Sequence, residues 1–202
     1  MRAVIIGNGS ITDYDYIRSV ISDKDFIICA DGGINHAVKM GLYADVLIGD
    51  FDSSDDKTAA AKAIQYPTRK DFTDGELCME YAIDNGYDEI LLIGMTGTRL
   101  DHTINNILLL LRCKNSCLIN EHNKIYPITD SLQIDNQNGK TLSIIPLFSD
   151  LEGIVTEGLE YPLNNETLCF GQARGNSNVI ISDTCKITVK KGMGIVIIND
   201  GE

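Results

Sequence analysis

The segment GDFDS, residues 49–53, places Asp50 and Asp52 two positions apart, directly after the apolar run VLI. If the chain stays extended there, alternate side chains face one way, so both carboxylates point to one side while Phe51 points inward. Two carboxylates about 4 Å apart repel by about 4 kcal/mol at an effective dielectric of about 20, and a third from Asp74 adds to this. A divalent cation removes the conflict. An oxygen-only ligand set with no paired cysteine or histidine suits Mg2+, which keeps waters and shares its shell with substrate phosphates. The same residue types also serve as turn and helix-capping residues on solvated surfaces, and GDFDS alone leaves both readings open.

Three further segments carry chemistry. In RKDFTD, residues 69–74, Arg69 and Lys70 bring positive charge beside Asp71 and Asp74, so one junction could hold a metal and the phosphates it bridges; it could equally be a solvated charge cluster. GTRLDHTIN, residues 97–105, adds Arg99, Asp101, His102 and Asn105, of which Asp101 and Asn105 lie four apart on one helix face. There Asp101 could simply cap the helix, and His102 could be a structural histidine. In GNGSIT, residues 7–12, Thr12 stands where a dinucleotide fingerprint wants its third glycine, which argues against nicotinamide chemistry. The glycines still permit close backbone approach to a phosphate or ribose. Neither a GxxxxGK[ST] loop nor a GxSxG elbow occurs in the chain.

These segments follow apolar, β-branched runs at residues 3–6, 26–30, 46–48 and 90–93, separated by helical spacing such as Tyr14, Ile17, Arg18 and Ile21. Alternating strands and helices predict a parallel sheet covered by helices, whose ligands bind beyond the carboxyl ends of the strands. Asp31, in ADGG after the second run, belongs to the same end. Thr73 and Glu76 form a capping box for one helix, which Asn85 and Gly86 end; another starts near Asp101. From about residue 123 helical spacing gives way to short alternating runs. SLQIDNQNGKTLSIIPL and CKITVKKGMGIVII read as hairpins turning at Asn138 and Gly139, and near residues 191–194. The expected division is an α/β domain over residues 1–122 and an all-β domain over 123–202.

The chain has 202 residues with 29 acidic and 17 basic side chains, a net charge of −12, which argues against nucleic acid or an anionic membrane as the main partner. No apolar run approaches the roughly 20 residues of a membrane span. Six scattered cysteines without a secretory signal predict free thiols in a reducing cytoplasm.

ADGGIN, IGDFDS, KDFTD, GTRLDHTINN and GNSN, in this order and spacing, resemble the thiamine pyrophosphokinase family. The resemblance implies transfer of pyrophosphate from ATP to the hydroxyethyl group of thiamine, giving thiamine diphosphate and AMP. It also implies a Rossmann-like N-terminal domain with helices on both faces of the sheet, a C-terminal β-sandwich for thiamine binding and dimerisation, Mg2+, and a homodimer with active sites between subunits. By the same resemblance, Asp50, Asp52 and Asp74 are the magnesium-binding carboxylates and Asp31 lines the acidic site. Lys70, Asp71, Arg99, Asp101 and Asn105 then contact the nucleotide, phosphates or their supporting network, and Ser177 and Asn178 match the thiamine-binding segment. Asp71 or Asp101 could orient the hydroxyl or accept its proton. Some family members place a tryptophan near the vitamin; this chain has none.

Two other functions stay open from the residues. Acidic clusters with a DH pair also occur in metal-dependent phosphoesterases, although only three histidines are available here. A non-catalytic thiamine-binding module, with the α/β half purely structural, would bind the vitamin without turnover.

Overall fold

In the computed structural model, which describes residues 1–52, 57–69 and 71–199, the chain divides into two units, Met1–Glu121 and His122–Glu202. The whole is a mixed α/β structure rich in strands. The first unit runs β1 (Arg2–Ile6), α1 (Tyr14–Ser19), β2 (Phe26–Ala30), α2 (Gly33–Lys39), β3 (Ala44–Gly49), β4 (Ala60–Gln65), α3 (Asp74–Asp84), β5 (Glu89–Ile93), α4 (Leu100–Leu109) and β6 (Ser116–Ile119). Its six strands lie in the order β4-β3-β2-β1-β5-β6, every neighbouring pair parallel. Ala3, Val4, Ile5 and Ile6 are buried in succession, which requires cover on both faces of the sheet and explains why this strand reads as a continuous apolar run.

Register decides where the loops go. Ile6 pairs with Cys29 on one side and Ile93 on the other, and Ala30 pairs with Ile48. The carboxyl ends of β1, β2, β3 and β5 are therefore level. The chain walks outward from β1 through β2 and β3 to β4, then returns to β5 on the opposite side of β1. Such a reversal parts the flanking loops and opens a crevice above the strand ends.

The helices begin where local chemistry demands. Thr73 caps α3, its hydroxyl accepting from the Glu76 amide at 3.2 Å, and Asn85 with Gly86 at φ 79° ends it. Glu76 is engaged by Arg112 at 3.3 Å. The helix near Asp101 starts one residue earlier, at Leu100, with Arg99 in the capping position.

The second unit contains β7 (Asn123–Ile128), β8 (Ser131–Asp135), β9 (Thr141–Glu157), β10 (Asn164–Leu168), β11 (Asn178–Val179), β12 (Thr184–Thr188) and β13 (Lys191–Asn199). All its pairings are antiparallel, in the order β7-β13-β9-β12-β8, with β10 and β11 also on β9. Inward residues such as Ile134, Leu142, Ile154, Cys185 and Val196 form its core. Both hairpins expected from the sequence need correction. Gly139 turns at φ 84°, yet β8 pairs with β12 rather than with β9. Likewise β12 and β13 each pair with β9 and are not partnered with one another. A turn signal fixes that the chain reverses, not which strand it then meets. Here the 17-residue β9 pairs with β13 from Thr141 to Leu147 and again at Glu152, and with β12 through its last residues. No helix among the described residues is long and apolar enough to cross a membrane.

Candidate active site

A cavity of about 610 Å³ lies in the first unit. The loop after β1 meets the loop after β5 there through three backbone hydrogen bonds: Gly7 N–H to Ile93 O at 2.8 Å, Gly9 N–H to Gly94 O at 2.6 Å and Ser10 N–H to Thr96 O at 2.7 Å. A Cβ on Gly9 would fall 2.4 Å from the Thr96 oxygen, so only glycine allows this approach. The close backbone approach expected of the glycines is therefore made to a neighbouring loop. The amides of Gly7, Gly9 and Ser10 are spent on carbonyls and do not form an anion cradle.

The next wall comes from β2 and β3. Asp31 follows β2 at φ 45°, is only 9% exposed, and donates its amide to Ile48 O at 2.8 Å. A Cβ on Gly49 would lie 2.9 Å from the Asp31 Cβ, so a side chain there would push the two strand ends apart. Asp31, Asp50 and Asp52 each offer a carboxylate oxygen within 4.8 Å of the others. The convergence of Asp50 and Asp52 does not come from an extended chain. Phe51, between them, sits at φ 67° with its ring buried, and the Asp50 Oδ1 accepts from the Asp52 amide at 3.2 Å. The backbone therefore kinks, and the kink folds both carboxylates toward Asp31.

The opposite wall belongs to α3 and α4. Asp74 and Gly75, in the first turn of α3, line the cavity beside Thr68, Phe72 and Thr73. Arg99, which precedes α4, lines the cavity together with His102, Thr103 and Asn106 of α4, of which His102 and Thr103 lie four and three before Asn106 on one helix face. Asn106 donates to Met95 O at 2.8 Å, and the Thr103 hydroxyl accepts from Gly97 N–H at 3.3 Å, tying α4 to the loop after β5. Arg99 grips Asp101 with two hydrogen bonds, Nε to Oδ1 at 3.0 Å and Nη2 to Oδ2 at 2.6 Å. The guanidinium holds the Asp101 carboxyl far below the usual carboxylate range, and Asp101 raises the pKa of Arg99 in turn.

Of the residues expected from the sequence, Asp31, Asp50, Asp74 and Arg99 line the cavity, and Asp52 joins Asp31 and Asp50. The gathered carboxylates are thus Asp31, Asp50 and Asp52, whereas the expected metal set was Asp50, Asp52 and Asp74. Asp71 and Asn105 are exposed and do not form the wall. Lys70 and the Ser53 of GDFDS lie outside the described residues. Asn106, missed in favour of Asn105, had a readable signal: it is the position seven after Arg99 on the stripe that includes His102 and Thr103. Asn8 and Met95 also line the cavity, and both follow apolar strand runs, the position from which ligand-binding loops are expected. In the second unit, Ser177 is exposed at φ 59°, and Asn178 spends its side chain on Tyr161, accepting from Tyr161 N–H at 3.0 Å and donating to Tyr161 O at 2.7 Å.

Residues 17–120 match the family model for the thiamin pyrophosphokinase catalytic domain, and residues 130–194 match that for the thiamin pyrophosphokinase vitamin B1 binding domain. The chain belongs to the thiamine pyrophosphokinase family. Each matched stretch falls within one unit of the structure. Among relatives, a thiamine pyrophosphokinase of Bacillus subtilis is 30% identical over 182 residues, covering 84% of this chain and 85% of the relative. Thiamine pyrophosphokinase 1 of Oryza sativa subsp. japonica is 28% identical over 195 residues, covering 80% and 74%. The crystal structure of thiamine pyrophosphokinase from Bacillus subtilis superposes with a TM-score of 0.88 at 25% identity, covering all of both chains. The yeast thiamin pyrophosphokinase structure shares the fold at 16% identity with a TM-score of 0.74, covering 98% of this chain and 86% of the other.

Proposed function

We propose that this member of the family transfers the β,γ-diphosphate of ATP to the hydroxyl of thiamine, releasing AMP. The observation that carries the reading is the meeting of Asp31, Asp50 and Asp52 beside a cavity in the unit matched by the catalytic-domain model.

Three carboxylates from two strand ends form an all-oxygen donor set, which fits a hard divalent cation such as Mg2+ and not a thiol-seeking metal. Asp31, Asp50 and Asp52 would hold it, with Asp74 at the facing wall. Bound there, Mg2+ would offset the charge of the phosphate oxygens. The rest of the chemistry falls to placement. The thiamine hydroxyl oxygen bonds to the β-phosphorus and loses its proton, the bond from the β-phosphorus to the bridging oxygen breaks, and AMP leaves with that electron pair. No side chain needs to be covalently modified. Arg99 supplies positive charge at the cavity. Asp101, held ionised by Arg99, is a weak base, so its part is to orient the guanidinium. Lys70 and Asp71 complete the charged segment before α3, and Asn105 belongs to the supporting network of α4.

We assign residues 1–122 to ATP and metal binding as a Rossmann-like layer with helices on both faces, and 123–202 to a β-sandwich that binds thiamine through the segment of Ser177 and Asn178. A homodimer with active sites between subunits completes the reading. A cytoplasmic location agrees with six cysteines that form no disulfide.

Purified protein with thiamine, ATP and Mg2+ should yield thiamine diphosphate and AMP on chromatography. Formation of ADP with thiamine monophosphate, or phosphoester hydrolysis indifferent to thiamine, would refute the reaction. Thiamine binding without turnover under every metal and nucleotide condition would favour a binding module.

A further inference from the structure

The glycine loop that walls the cavity is held from beneath by a chain of side chains that the reaction itself does not use. His36, half-buried on α2, places Nε2 at 2.8 Å from the Gly9 carbonyl oxygen and Nδ1 at 2.7 Å from the Tyr14 hydroxyl. Lys39, one turn further along α2, sits 3.4 Å from the same hydroxyl and 5.5 Å from the Tyr14 ring centroid.

The donor directions in this chain follow from chemistry. The Lys39 ammonium can only donate, so the tyrosine oxygen accepts from it and its own proton is left for Nδ1 of His36. An imidazole that accepts at Nδ1 carries its proton on Nε2, and that proton is donated to Gly9 O. Burial pushes the pKa of His36 down, which agrees with a neutral ring. The far side of the same peptide unit is held as well: Ser10 N–H donates to Thr96 O at 2.7 Å. The Gly9–Ser10 peptide plane is therefore fixed at its carbonyl by α2 and at its amide by the loop after β5. Glycine on one side of the bond gives that plane more rotational freedom than any other residue would, so each hydrogen bond matters to its orientation.

We propose that His36 is a positioning residue that sets the Gly9–Ser10 peptide and, through it, the wall on which ATP is seated. The inference rests on reading the cavity as the ATP site. Tyr14 selects the tautomer that lets His36 do this, and Lys39 sets the tyrosine proton. The role belongs to nucleotide binding and not to bond making, because His36 contacts the Gly9 carbonyl and is not among the residues that line the cavity.

The test has two readouts, one independent of turnover. In His36→Leu, backbone amide exchange at residues 7–10 of the ligand-free protein should quicken by about tenfold, and the KM for ATP should rise about five- to tenfold, the scale of one lost hydrogen bond. The kcat and the KM for thiamine should stay within about twofold of wild type. His36→Gln, whose side-chain amide can still donate to Gly9 O, should restore both readouts; Tyr14→Phe, which keeps the imidazole, should show a smaller loss and serves where the leucine variant fails to fold. Unchanged exchange at residues 7–10, an unmoved KM for ATP, or a glutamine variant no better than leucine would overturn the inference. If the wild-type protein lacks ATP turnover, the ATP reading falls separately, and loop exchange alone decides the role of His36.

Discussion

At the scale of single residues, Asp31, Asp50 and Asp52 crowd like charges at the ends of two neighbouring strands, within 4.8 Å of one another. Such crowding has opposite consequences for function and for the metal-free fold. Asp50→Asn or Asp52→Asn should cut kcat/KM by about 10²- to 10³-fold at saturating Mg2+, the scale of losing one preorganised electrostatic contact. In the presence of a chelator the same variants should unfold at temperatures no lower than wild type, since a like-charge repulsion has been removed. Near-normal rates, or a fall in the chelated melting temperature of both variants, would contradict this account. His36 sets a second expectation. Its folded pKa lies below the ordinary 6.5, chiefly through burial, so the unfolded chain binds more protons in the window just below that value. The contribution of His36 to stability is therefore complete above about pH 6.5 and declines as pH falls through the folded pKa. Urea midpoints measured from pH 7 to 5.5 should drop more steeply for wild type than for His36→Gln; parallel profiles would sink the point.

At the scale of elements, the cavity depends on where helices start. Thr73→Ala removes the hydroxyl that accepts from Glu76 N–H and should cost about 1 kcal/mol, read as a lower denaturant midpoint. Because Asp74 and Gly75 open the same helix and line the cavity, the variant should also bind ATP more weakly; an unchanged midpoint would show the cap to be redundant. The cap was readable because Thr73 and Glu76 stand three apart. The four central strands were readable for a similar reason: burial on both faces leaves an uninterrupted β-branched run. AAKAIQ gave no such run, since β4 lies at the edge of the sheet with most of its side chains exposed or half-buried. The strand partners of the second unit were not readable either, because β9 recruits β12 and β13 across long stretches of sequence that no local turn encodes. The candidate site was legible to a similar degree. Asp31 and Asp50 follow apolar runs and could be found as strand-end residues. The kink at Phe51, which brings Asp52 to them, depends on a left-handed conformation that phenylalanine rarely adopts.

At the scale of the whole molecule, the net charge of −12 opposes an anionic substrate, so ATP needs local countercharge, which the proposed site would supply through Arg99 and a divalent cation. In the second unit Phe148, Tyr161 and Phe170 are each more than half exposed, apolar surface that the proposed homodimer would cover. Sedimentation at micromolar concentration should give twice the chain mass of 22.2 kDa, and a species of single mass would remove the proposed homodimer. The reading of the molecule as one machine rests on attack at the β-phosphorus, with two phosphoryl groups moving together. The most direct measurement supplies ATP labelled at either the β- or the γ-phosphorus and follows the label into product. Both labels should enter thiamine diphosphate in equal amount, with AMP unlabelled; entry of the γ-label alone, accompanied by ADP, would contradict the account.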